Sequence, residues 1–248
     1  MKRYMLTVAY DGTNYHGWQT QPNGITIESV LNSALTGLFG KPVTVIGASR
    51  TDAGVHSLGN AAVFDMDTKI PADKLPYALN QRLPDDIVIQ SCLEMPFDFH
   101  PRYAKSRKTY EYKILNRRFP LPQARSYAYF IHRDIDVEKM RQAARYFVGE
   151  HDFKSFCSAH AQVKTTVRTI YSLTVEKEGD FITIRVTGSG FLYNMVRIIS
   201  GTLLQVGIGE RQPAEIKSAL SACDRAAAGP TAPAHGLTLV QIEWMVPS

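Results

Sequence analysis

Two stretches of this chain run through the same order of hydrophobic periodicities, and that doubled order restricts the fold more than any other feature. In the first, Leu6, Val8 and Tyr10 alternate with Met5, Thr7 and Ala9, which predicts a strand from Tyr4 to Tyr10. A polar, glycine-containing loop runs from Asp11 to Gly24. A helix then follows from Thr26 to Phe39, capped by Thr26, with Ile27, Val30, Leu31, Ala34, Leu35 and Leu38 as its apolar stripe. Strands are expected at Val43–Ser49, Asn60–Met66 and Ile87–Leu93. A second helix starts at Pro71 and runs to Arg82, with Pro76 marking a kink or an earlier stop. The order is β-α-β-β-α-β.

The second stretch repeats it. Thr109–Leu115 reads as a strand, and Asp136 caps a helix carrying Val137, Met140, Ala144, Phe147 and Val148. Ile170–Lys177 and Phe181–Thr187 form a hairpin around Glu178, Gly179 and Asp180. An apolar helix spans Tyr193–Val206, a short one Pro213–Leu220, and Leu237–Met245 closes as a strand. The expectation is an α+β fold of two ferredoxin-like halves with mainly antiparallel sheets. The domains are 1–103 and 104–248, with the boundary in Phe99–Ser106. The halves share pattern, not sequence.

The charged fraction of 21% and hydrophobic fraction of 44% support an ordinary packed core. The net charge of +5 suits a nucleic-acid partner without demanding one. Cys92, Cys157 and Cys223 are too scattered for a metal knuckle or redox pair and fit reduced thiols. No apolar run reaches membrane-spanning length, and the basic start lacks the apolar stretch of a signal peptide. A cytoplasmic protein without membrane attachment is expected.

One connection carries chemistry. Between two apolar strands lies Gly47-Ala48-Ser49-Arg50-Thr51-Asp52-Ala53-Gly54-Val55-His56, about ten residues where a hairpin needs only a few. Its charged centre pairs Arg50 with Asp52. On spacing alone Asp52 is either a turn-capping aspartate or a catalytic carboxylate. Arg197, in a mostly apolar helix, is either a surface arginine lying over apolar neighbours or a cation held for a purpose. Tyr110 and Tyr112 share a strand face, where tyrosines are usually core.

The string SRTDAGVH resembles the catalytic loop of the tRNA pseudouridine synthase A family. So do YDGTNYHGWQ, KTYEY, GEHDFKSF, GSGFLYNMVR and PAHGLTL, in order along the whole chain. The resemblance implies conversion of uridine to pseudouridine at positions 38, 39 and 40 of the tRNA anticodon stem-loop, without cofactor or metal. Asp52 would be the nucleophile. Arg197 would pair with it and keep it ionised, placing the active-site cleft between the halves. Tyr110 would stack on the target base, and Arg50 would fill the vacated space or hold a phosphate. A homodimer is expected, with one tRNA touching both subunits. Asn194 stands where the family more often has His, and Ser57 where it has Ala; neither is expected to touch Asp52, Tyr110 or Arg197.

The basic run Arg102, Lys105, Arg107, Lys108, Lys113, Arg117 and Arg118, opposed only by Glu111, suits a phosphate backbone, although several members should be merely solvated. None of His16, His56, His100, His132, His151, His160 and His235 is expected as a general base, and His151-Asp152 reads as a turn after a helix end. GSGF is not a dinucleotide fingerprint. Two alternatives stay open: a non-catalytic tRNA-binding or RNA-folding module, and a carboxylate hydrolase using Asp11 as second acid.

Overall fold

The computed structural model describes residues 1–158 and 164–245, so His160 lies outside the described residues. The chain divides into two compact units: Met1–Lys105 together with the residues from Leu239 onward, and Ser106–Thr238.

The first unit runs β1 (Lys2–Tyr10), α1 (Ile27–Phe39), β2 (Ile46–Gly47), β3 (His56–Met66), α2 (Leu75–Asn80) and β4 (Ile87–Met95). β1 sits between β4 and β3, β2 lies on the far edge of β3, and every pairing is antiparallel. This is the expected split β-α-β arrangement. That far edge is shared with the closing strand β10 (Leu237–Trp244), which neighbours β3. Helix α1 begins where Thr26 and Ser29 exchange hydrogen bonds, Ser29 N–H to Thr26 Oγ1 at 3.2 Å and Thr26 N–H to Ser29 Oγ at 3.1 Å. Its Ile27, Leu31 and Leu35 pack against Tyr4, Leu6, Val8 and Phe64 of the sheet. Thr26→Ala should cost about 1 kcal/mol, read as a lower denaturant midpoint at unchanged slope.

Two expected elements differ. The strand expected over Val43–Ser49 shrinks to Ile46–Gly47. Val43 and Val45 are buried as their alternation implies, but their N–H groups go to Thr36 Oγ1 (3.2 Å) and Asn32 Oδ1 (2.9 Å) of α1 rather than to a neighbouring strand. The helix expected over Pro71–Arg82 is a 3₁₀ turn at Ala72–Lys74 followed by six residues of α2. Pro76 lacks an N–H, so it is tolerated only in the first turn of a helix that starts beside it.

The second unit holds β5 (Ser106–Asn116), β6 (Tyr129–Ile131), α3 (Val137–Ala144), β7 (Gly149–Asp152), β8 (Val167–Glu178), β9 (Phe181–Gly188), α4 (Met195–Gly207) and α5 (Glu215–Ala222). Its sheet runs β5-β9-β8-β7 with antiparallel neighbours, and β6 adds in parallel to Ile114–Asn116 of β5. Asp136 caps α3 through Lys139 N–H at 3.0 Å, as expected. The β8–β9 hairpin turns at Gly179 and Asp180, with Glu178 already paired to Phe181. Two strands were not foreseen. β6 is only three residues long, and β7 occupies the place expected to be a turn around His151; the sequence Gly-Glu-His-Asp has no apolar alternation to betray it. Helix α4 is buried on nearly every side, which makes its apolar sequence core. No helix among the described residues is long and apolar enough to cross a membrane.

Candidate active site

The Asp52 loop is a continuation of the β2–β3 ladder that departs from it in a defined way. Ala48 N–H still reaches Ala61 O at 2.8 Å. One residue on, the Asn60 side chain takes over the role of backbone. Its Oδ1 accepts from Ser49 N–H (3.2 Å) and its Nδ2 donates to Ser49 O (2.9 Å), so the loop stands off from β3 by the depth of an amide. Asn60 Nδ2 also reaches the Tyr10 hydroxyl at 3.3 Å, and that hydroxyl lies 2.7 Å from Thr51 Oγ1. Ser49 and Thr51 are therefore buried and gripped, while Arg50 is exposed and Asp52 partly so.

Past Asp52 the chain turns at once. Val55 N–H closes on Asp52 O at 3.1 Å, and Gly54, third in the turn, has φ +77°, the value a type II turn requires there. The YDGTNYHGWQ segment supports this turn from outside. Trp18 N–H donates to Thr51 O (3.0 Å) and Gly54 N–H to Tyr15 O (3.3 Å). Gly17 has φ +84°, and a side chain there would stand 2.7 Å from Thr51 O and 3.1 Å from Ala53 N. Two backbones meet at a distance only glycine permits.

Asp11 is spent locally. Its Oδ1 accepts from Thr13 N–H (3.0 Å) and Thr13 Oγ1 (2.6 Å). Buried His56 places Nδ1 3.1 Å from both Gly12 N and Asp11 Oδ1. A neutral ring accepting from Gly12 has no proton on Nδ1 to give Asp11, so the second contact becomes an ion pair only when the ring is protonated.

In the second unit, Arg197 lies in the first turn of α4. Its Nε donates to Ala232 O (2.8 Å) and its Nη1 to Asn194 Oδ1 (2.7 Å), which fixes the plane of the guanidinium. The expectation that Asn194 leaves Arg197 untouched is thus corrected. Asn194 adopts a left-handed backbone (φ 60°) that starts α4 two residues later than expected, and its Nδ2 anchors to Ser158 Oγ at 2.9 Å. Tyr110 is nearly buried, with its ring edge-on to Phe191 at 5.2 Å. Tyr112 is a core residue whose hydroxyl donates to Pro233 O at 2.9 Å.

The basic run disperses. Glu111 pairs with Arg185 of β9 rather than within the run. Arg117 pairs with Asp180 at 3.3 Å, Arg107 lies over the Tyr171 ring and Arg118 over Phe119. Arg102 donates from Nε to Gly47 O (3.2 Å) at the start of the Asp52 loop. Burial and the neighbouring charge of Arg50 lower its pKa. Among the described residues no cluster of three His, Cys, Asp or Glu could hold a metal ion.

What periodicity missed is the part that Tyr10, Trp18 and Asn60 play in holding the loop. Asn60 reads only as the first residue of a strand; the available signal was an amide on an inward-facing position just after a polar loop.

Burial pushes the Tyr10 hydroxyl up to about 12, and raises that of Tyr112 in the same sense. In the unfolded chain a tyrosine loses its proton near pH 10, before the folded one does. Stability is therefore intact below pH 10 and falls between pH 10 and 12, at about 1.4 kcal/mol per pH unit for each such group. Urea unfolding at pH 9 and pH 11 should show the loss, and Tyr10→Phe should make it shallower.

A family model described as tRNA pseudouridine synthase matches residues 6–104 and 143–244. Those stretches contain Arg50, Asp52 and Arg197, while Tyr110 falls between them. A protein called tRNA pseudouridine synthase A from Thermoanaerobacter sp. (strain X514) is 50% identical over 242 residues, covering 98% of this chain and 99% of the relative. Proteins of the same name from Ruminiclostridium cellulolyticum (49% over 245 residues) and Brevibacillus brevis (48% over 244 residues) each cover 98% of this chain and are themselves covered completely. The chain belongs to the tRNA pseudouridine synthases, isomerases that act on tRNA.

Proposed function

We propose that the protein converts uridine to pseudouridine at positions 38, 39 and 40 of the tRNA anticodon stem-loop, with Asp52 as the nucleophile. The observation that carries this reading is the Asp52 loop. It holds the family motif, grips the residues on either side of Arg50, and leaves Asp52 partly exposed on a closed turn. The reaction breaks the bond between uracil N1 and the ribose C1′ and forms one between C5 and C1′. N1 gains a proton and C5 loses one, so atoms balance with no external group. A carboxylate serves such a reaction by attacking sugar or base, or by assisting departure and later taking the C5 proton.

Arg197 holds the nucleophile ionised, and its rigid plane suits that task. Tyr110 offers a ring face to a base that has lost its stacking partners, an interaction of about 1–3 kcal/mol. Arg50, exposed beside Asp52, holds a phosphate or fills the space the base leaves. The protein acts in the cytoplasm as a homodimer. Arg197→Lys keeps the charge but loses the planar fork that reaches Ala232 O through Nε and Asn194 Oδ1 through Nη1, so kcat should fall on the order of tenfold to hundredfold in single-turnover assays.

The test is tritium release from tRNA labelled at uridine C5, with pseudouridines mapped before and after treatment. Release confined to positions 38, 39 and 40 is the expected result. Binding without release would leave a non-catalytic tRNA-binding module, and free uracil among the products would indicate a hydrolase.

A further inference from the structure

We propose that Tyr10 and Asn60 are positioning residues for catalysis: a buried relay from Asn60 through the Tyr10 hydroxyl to Thr51 sets the aim of Asp52. The inference rests on the reading of Asp52 as nucleophile, and it assigns a catalytic consequence to side chains that touch neither substrate nor reacting atoms.

The backbone fixes how the Asn60 amide is turned. Asn60 Oδ1 accepts from Ser49 N–H and from Ala61 N–H at 2.9 Å, so the amide is oriented by two backbone donors. Its Nδ2 must then face outward, toward Ser49 O and the Tyr10 oxygen. The Tyr10 oxygen accepts from Nδ2 and lies 2.7 Å from Thr51 Oγ1, a hydrogen bond in which either hydroxyl can donate. Thr51 precedes Asp52 directly. Its carbonyl is held from the opposite side by Trp18 N–H. Thr51 is thus clamped through side chain and backbone at once, and a turn closed by Val55 follows. Asp52 has two flexible backbone angles between one clamp and the next. A purely architectural purpose does not call for this device: the ladder could end at Ala48 and the chain turn in two residues. The amide spacer lifts the loop off β3, and the relay stiffens it where it is lifted.

The test uses the full-length protein and single-turnover kinetics on tRNA, at a temperature where each variant is fully folded by circular dichroism. Tyr10→Phe removes one oxygen atom, and Thr51→Val replaces the hydroxyl by a methyl. Each should lower kcat about tenfold, the scale of one hydrogen bond, with KM for tRNA within twofold. The double variant should be no slower than either single one, because both break the same bond. Thr51→Ser should restore most of the rate. Asn60→Ala, which empties the whole relay, should fall about a hundredfold; if it does not fold, the Tyr10–Thr51 cycle decides. Asp52→Ala is run beside them. If it is inactive while Tyr10→Phe and Thr51→Val keep wild-type kcat, the relay is overturned and the nucleophile stands. Additive losses in the double variant, or a raised KM at constant kcat, overturn it as well. An active Asp52→Ala protein sinks the reading beneath it instead.

Discussion

Alanine at position 52 is expected to lower pseudouridine formation by at least about four orders of magnitude, the scale on which removal of a nucleophile acts elsewhere. tRNA affinity should stay near the wild-type value and the protein should remain folded. The bonds from Tyr10, Trp18 and Asn60 end on Ser49 and Thr51, so truncating the Asp52 side chain leaves them in place. Asp52→Asn makes a sharper version of the experiment. It preserves volume and most hydrogen-bonding geometry but removes the charge, and it should be as inactive as alanine if the carboxylate attacks. Retention of normal turnover by either variant would be incompatible with a carboxylate nucleophile at this position. Binding measured by filter retention separates lost chemistry from lost substrate.

Gly17→Val should have a large effect although it lies outside the loop itself. The residue has φ +84°, which a β-branched side chain adopts only under strain, and its Cβ would enter 2.7 Å from Thr51 O. The obstacle is backbone, not the end of a flexible side chain, so the two segments must part. Strain and overpacking together cost about 3 kcal/mol, equivalent to about 6–12 °C in melting temperature for a chain of this size. Calorimetry measures that loss. Turnover measured well below the transition should also drop, because the atoms pushed away belong to Thr51, Asp52 and Ala53. A variant with unchanged melting temperature and unchanged turnover would mean that the two segments do not meet as described.

Why some of this was readable beforehand and some was not follows from the range of the interactions. Helix α1 is a local object: Thr26, Ser29 and a stripe at helical spacing lie within one window, and they fold as that window implies. Asp52 stood out because its loop was too long and too charged for a hairpin, and because the motif around it is long. Other features depend on partners remote in sequence. Val43 and Val45 look like strand residues, and only the amide of Asn32 and hydroxyl of Thr36 in α1 decide otherwise. The relay joins Tyr10, Thr51 and Asn60, whose separations of 41 and 50 residues leave no periodic trace. Asn194 was recognisable as a departure from the family pattern, yet its grip on Arg197 depends on a left-handed backbone that composition does not announce.

The placement of β10 beside β3 has a consequence for how the molecule comes into being. The first unit includes a strand that follows the rest of that unit in sequence by more than a hundred residues. Until Leu239–Trp244 emerges, part of one edge of β3 presents unpaired backbone groups, and unpaired edges invite other chains. The nascent chain must therefore wait, with more than a hundred intervening residues already made, before its opening segment is whole. Cutting after Lys105 would recreate that waiting state permanently and yield a fragment prone to associate with itself rather than a self-sufficient half.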